Sequence, residues 1–174
     1  MAARGPLSLK ARAIGLLAQR EHSRAELRRK LLRVEQQRLR LATARAEGET
    51  DGPAEDERDA EAGEAAIDAL LESLAADGYL NENRFVESRL HLRAGRFGTQ
   101  RIQQELAQHG LRLDAEQQDA LRSTELERAR EVWLKRFGPE PATAPAEQAR
   151  QTRFLLARGF AGDIVRRLLR RNKD

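Results

Sequence analysis

RFLLARGFAGDIVRRLL, residues 153–169, is the stretch whose reading decides the fold. It reads as the end of one apolar helix, a turn at Gly159-Phe160, and the start of a second helix. A glycine just past a helix takes the left-handed conformation without a Cβ clash, and the apolar residue after it folds back onto the helix. In the second helix the apolar anchors Val165 and Leu169 fall five and nine residues after Phe160.

Two other places share that spacing. His22-Ser23 precedes Leu27 and Leu31, and Phe97-Gly98 precedes Ile102 and Leu106. Basic residues surround all three: Arg20 and Arg24; Arg93, Arg96 and Arg101; Arg158, Arg166 and Arg167. The pattern reads as one helix–turn–helix unit used three times, each too small to bury its own face and stabilised by stacking on the next. The alternative is coincidence, since weak matches of this kind also arise in any helical chain rich in Leu and Arg.

Outside these units the signals are again helical. Ile67, Leu70, Leu71 and Leu74 fall at i, i+3, i+4 and i+7, and Ala129, Val132, Trp133 and Phe137 at i, i+3, i+4 and i+8, each an apolar helix face. Helix starts are marked by a capping box at Ser23 and Glu26, a second at Asp114 and Gln117, and an N-cap at Asn81. Gly78-Tyr79 and Gly110-Leu111 end two helices, with Tyr79 expected to pack after its glycine, and Phe137-Gly138-Pro139 closes another. Valine occurs only at positions 34, 86, 132 and 165, and no β-branched run alternates with period two, so the expected class is all-α.

Three segments interrupt this pattern. Residues 1–8 are expected to be mobile. Residues 47–63 combine four of the Gly and Pro residues with a run of acids and read as a disordered or frayed loop. Residues 138–146, GPEPATAPA, read as a Pro-rich linker.

The 174 residues carry 34% charged side chains but a net charge of only +4. Residues 47–64 hold nine acids against Arg58, a net −8, which leaves +12 on the rest. A basic body of this kind suits polyanions or a protein coated on one; it is equally the solvated surface of an Arg-rich helical protein. There is no cysteine, so disulfides and thiol nucleophiles are excluded. No apolar run approaches the roughly 18 residues that span a bilayer, and the expected location is the cytoplasm.

Catalytic chemistry finds no support. Gly95-Arg96-Phe97-Gly98 has two glycines but lacks the Gly-Lys-Ser/Thr of a phosphate loop. His22, His91 and His109 are isolated and form no i, i+4 pair, so they read as turn or packing residues. Trp133, Phe137, Phe154 and Phe160 are candidate platforms for stacked bases, but their helical spacing favours core packing. The expectation is a binding protein without catalytic, cofactor or metal residues.

Three stretches resemble the RecX family, bacterial regulators of the RecA recombinase. They are Leu16 to Leu31; Asp77 to Phe85 with Gly98–Ile102 and Glu105-Leu106 to Gly110-Leu111 downstream; and Arg153 to Val165. The acidic stretch after residue 46 stands as an insertion, and Asn81 replaces a more usual acid. The resemblance implies three tandem three-helix repeats, 9–80, 81–123 and 124–174, in an elongated, curved array. It implies a partner, the RecA filament on single-stranded DNA, with the protein lodged in the filament groove to suppress ATPase, strand-exchange and co-protease activity. On that reading Arg20, Arg24, Arg28, Arg29, Arg93, Arg96, Arg101, Arg158, Arg166, Arg167, Arg170 and Arg171 form a ribbon along the concave side of a monomer, facing RecA or DNA. The rival is a direct binder of single- or double-stranded DNA through its helix–turn–helix units. The acidic insertion is either a mimic of DNA charge that shields the basic face or a plain linker.

Overall fold

A computed structural model describes residues 7–45, 53–140 and 142–171. Among the described residues the chain is all helical: α1 Leu9–Gln19, α2 Arg24–Arg45, α3 Pro53–Ala76, α4 Glu82–Arg93, α5 Thr99–Ala107, α6 Ala115–Ser123, α7 Glu125–Phe137, α8 Pro145–Ala157 and α9 Gly162–Arg171. Two compact units form, residues 1–85 and 86–174, with the division inside α4.

The first unit packs α1, α2 and α3 around Ala13, Leu27, Leu31, Ile67, Leu71, Leu74 and Leu80. The predicted anchors Leu27 and Leu31 and the stripe residues Ile67, Leu71 and Leu74 thus share one core. Helices α2 and α3 run antiparallel, since Arg24 meets Glu72, Arg28 meets Asp68 and Glu64, and Glu35 lies against Gly63. The second unit gathers Ala129, Val132, Trp133, Leu155, Phe160, Val165 and Leu168 from α7, α8 and α9. Here the deeper anchor is Leu168; the predicted Leu169 packs at the margin.

Local capping follows the sequence closely. The Glu26 amide donates to Ser23 Oγ at 3.1 Å, and the Arg84 amide to Asn81 Oδ1 at 3.0 Å. Asp114 and Gln117 form both halves of their box. Gly78, Gly110, Gly138 and Gly159 all have positive φ, between 74° and 81°. After three of them the chain folds back: Leu80 N donates to Leu74 O, Leu111 N to Leu106 O and Phe160 N to Leu155 O.

Several expectations need correction. Residues 53–63 are not a loop; they form the first turns of α3. Pro53 suits a first helical position because its missing N–H would be unpaired there anyway. The helix then continues through residues 57–62, which are exposed, and bare Gly63 lets α2 approach, with the Glu35 side chain 3.1 Å from where a Cβ would stand. Residues 47–52 lie outside the described residues. The linker after α7 ends at Ala144, because Pro145 opens α8. Of the segment expected to be mobile, residues 1–6 lie outside the described residues, while Ser8 caps α1 by accepting from Ala11 N. Tyr79 does not pack after its glycine: it is 51% exposed, and Leu80 takes the buried place.

Candidate protein and nucleic-acid interface

The structure separates the predicted arginines by what already holds them. In the first unit, Arg20 pairs with the Glu26 carboxylate and donates to the Glu21 carbonyl. Arg24 Nη2 lies 2.8 Å from Glu72. Arg28 grips Asp68 with two hydrogen bonds, 2.7 and 3.0 Å, and reaches Glu64 at 3.1 Å. That fork holds the Asp68 carboxyl below its ordinary range and makes Arg28 still harder to deprotonate. Arg24 and Arg28 lie four apart on one face of α2, and the acids of α3 occupy that face. Arg29 is exposed and meets no acid among the described residues.

Behind this surface His22 is buried. Its Nδ1 faces the Arg20 carbonyl at 2.9 Å and its Nε2 the Lys30 ammonium at 2.9 Å. Nε2 therefore accepts from Lys30 and the ring is neutral; burial pushes its pKa below the ordinary value. Burial also raises the neighbouring Glu26 carboxyl, but the Arg20 and Lys30 cations outweigh it and hold it at about 2.

In the second unit, α4 and α5 share Glu105 between Arg93 at 3.0 Å and Arg101 at 3.5 Å. The Arg93 guanidinium also stands over the Phe97 ring, 5.4 Å from its centre. Arg158 lies over Phe97 at 5.8 Å and over Phe154 at 4.6 Å, and donates to the Arg96 carbonyl at 3.3 Å. Arg96 is exposed. So are Arg166, Arg167 and Arg170 on the outer face of α9, opposite the buried Val165 and Leu168. These four have no carboxylate partner among the described residues. The Arg171 side chain lies outside the described residues. Of the four aromatics considered as platforms, Trp133 and Phe160 are buried, whereas Phe137 and Phe154 are half-buried and carry arginines.

What positions this surface is a joint within the second unit that sequence reasoning missed. The Gly98 amide donates to Arg158 O at 2.9 Å and the Gln100 amide to Gly159 O at 3.1 Å. A Cβ on Gly98 would stand 2.2 Å from Gly159 O, so only glycine fits. Glu125, 3% exposed, accepts with one oxygen from the Thr99 amide at 3.0 Å and the Ala161 amide at 3.3 Å. A carboxylate there sits at the N-terminal ends of α5 and α9, where the helix dipoles favour negative charge. Arg128 donates to the carbonyls of Ala94, Phe97 and Leu121; burial lowers its pKa, which for an arginine still leaves it charged. Both residues are ordinary charges in the sequence, and only partners 26 to 36 residues away give them meaning.

Among the described residues no three His, Cys, Asp or Glu side chains gather to hold a metal ion, and no helix is long and apolar enough to cross a membrane. Among the described residues the charged groups of this surface are ion pairs and exposed cations.

Comparison with known proteins places relatives along nearly the whole chain. The family model described as RecX, third three-helix domain, matches residues 123–169. The chain is 49% identical to the regulatory protein RecX of Leptothrix cholodnii, covering 96% of this chain and 90% of that one. It is 44% identical to the regulatory protein RecX of Ralstonia pickettii over 95% and 89% of the two chains, and 38% identical to that of Pseudomonas putida over 94% and 90%.

Proposed function

Because this chain belongs to the RecX family of regulatory proteins, we propose that it acts as a non-enzymatic regulator that binds the RecA filament on single-stranded DNA and restrains it. The similarity to regulatory RecX proteins along nearly the whole chain carries this reading. The proposed units are α1–α3, α4–α6 and α7–α9, repeated as one monomer in an elongated array in the cytoplasm. Arginine supports the partner, since its planar fork matches both the carboxylates of a protein and the phosphates of the strand it coats. The proposed action is a wedge: the protein lies in the filament groove across adjacent RecA subunits and resists the rearrangement that hydrolysis, strand exchange and co-protease activity require.

The test is single-stranded-DNA-dependent ATP hydrolysis by the cognate RecA during titration with this protein. Inhibition at well under one molecule per RecA is the expected result. No effect at saturation, with bare DNA still bound, overturns the reading in favour of a direct DNA-binding protein. One observation favours that second reading: Arg166, Arg167 and Arg170 crowd one face of α9, outnumber the single acid of that helix, Asp163, and pair with no carboxylate among the described residues. A binder of bare DNA holds naked strand and filament with comparable affinity, and loses both steeply as salt rises.

A further inference from the structure

Within the second unit, cations and rings alternate across the surface. Arg93 stands over Phe97, Arg158 over both Phe97 and Phe154, Phe154 meets Phe137 edge-on with centres 5.1 Å apart, and Arg150 stands over Phe137 at 5.9 Å. Glu147, Arg150, Phe154 and Arg158 follow one stripe along α8 and its terminal turn, at i, i+3, i+7 and i+11. We propose that this ladder, centred on Arg158, is a docking surface for the carboxylates of an acidic protein patch. The reading extends the proposed function by separating protein contact from nucleic-acid contact, and rests on it only for which acidic protein is bound.

Three observations choose carboxylates over a strand of nucleic acid. First, a surface for single strands offers open aromatic faces to the bases, whereas the faces of Phe97, Phe154 and Phe137 already carry guanidinium groups. Second, acids stand inside the ladder: Glu105 beside Arg93 and Arg101, and Glu147 at 3.3 Å from Arg150. A continuous run of phosphates meets like charge there, while a protein surface with spaced carboxylates does not. The contrasting face is α9, where Arg166, Arg167 and Arg170 outnumber Asp163, pair with no carboxylate among the described residues, and suit phosphates instead.

Third, Arg158 is fixed by neutral partners alone. Its carbonyl accepts from Gly98, its amide donates to Leu155 O, its Nη1 donates to Arg96 O, and its guanidinium lies over two rings. It keeps its full charge and further N–H donors for a planar, bidentate acceptor. With its rotamer already locked it forfeits little entropy on binding. Arginine beside aromatic rings is also the usual composition of an energetic centre in protein interfaces.

The experiment measures binding of the full chain to fluorescent poly-L-glutamate and to fluorescent oligo-dT at matched salt. Three variants are compared with the parent: Arg158→Lys, Arg150→Gln, and Arg166→Gln with Arg167→Gln and Arg170→Gln together. Arg158→Lys keeps the charge but not the fork, and is expected to weaken poly-glutamate binding roughly 10-fold, as loss of one charge-assisted pair does. Its affinity for oligo-dT should change less than about 2-fold, and the triple variant should show the opposite bias. Should Arg158→Lys fail to fold, Arg150→Gln decides: a loss of about 2- to 3-fold for poly-glutamate alone is expected of an exposed rung. Equal loss for both probes assigns the ladder to phosphates. No loss for either leaves Arg158 a clamp of the joint, and no poly-glutamate binding by the parent removes the surface altogether; each of these overturns the proposal. None of the readouts involves RecA, so failure of the filament reading is seen separately in the ATPase titration.

Discussion

At the level of single residues, the joint of the second unit is where substitution should cost most. Glu125 accepts from two amides in a buried site, so Glu125→Ala leaves both unpaired and is expected to lower stability by about 2–4 kcal/mol, read as a shifted urea midpoint; Glu125→Gln keeps an acceptor and should lose less. Gly98→Ala drives a Cβ into the Gly159 carbonyl and should unfold the second unit or cost more than about 3 kcal/mol. Gly15→Ala, inside α1 with nothing within 4 Å of the added carbon, should instead stabilise by roughly 0.5–1 kcal/mol. The His22 cluster sets the pH response. His22 is held neutral, so its contribution is complete above its ordinary value of 6.5 and is lost as pH falls below it. Glu26 contributes in full above 4.5 and loses about 3 kcal/mol as pH falls to about 2. Urea midpoints should therefore drop in two stages on acidification, and Glu26→Gln should shrink the lower one, leaving the part that Asp68 contributes. Ser23, Asn81, Asp114 and the cap glycines were legible in the sequence because a cap is made within a few residues. Glu125 and Arg128 were not, because their partners arrive only with the tertiary fold.

At the level of helices, periodicity located the apolar stripes but not the true length of α3. Residues 57–62 of α3 are exposed, and a reading that demands an apolar face discards them; at Gly63 α2 supplies support. The same packing decides which arginines remain available. Arg24 and Arg28 share a face by spacing, yet α3 brings Glu72, Asp68 and Glu64 to them from 36 to 48 residues away. These pairs are a third or more exposed, so solvent screens them and each adds little to stability. Arg28→Ala is accordingly expected to shift the urea midpoint only slightly. It should also leave DNA affinity within about 2-fold of the parent, whereas a single change at Arg167 should reduce the slope of log affinity against log salt by about 0.7. Parallel titrations at several salt concentrations check both.

Across the whole molecule, the excess of positive charge was plain from composition, but its distribution was not. A count of +12 outside the acidic segment treats every arginine alike. In the structure some are neutralised by acids, some are clamped on rings and carbonyls, and a few stand exposed, above all on α9. Each compact unit closes its own core, with the apolar anchors predicted from spacing mostly at its centre. The family resemblance therefore named the fold class correctly, while the allocation of charge depended on which distant segments meet.

The shared oxygen of Glu125 has a consequence in time as well as in space. Amides at the start of a helix lack an intrahelical acceptor and ordinarily trade their hydrogens with solvent quickly. Thr99 and Ala161 are such amides, yet both point at one buried carboxylate, and the Gly98 and Gln100 amides are taken up by the turn before α9. None of the four can be released unless α5 and α9 part. Deuterium uptake at these positions should thus be as slow as in the Trp133 core, and all should open together, making these four amides a single clock rather than a set of independently fraying ends.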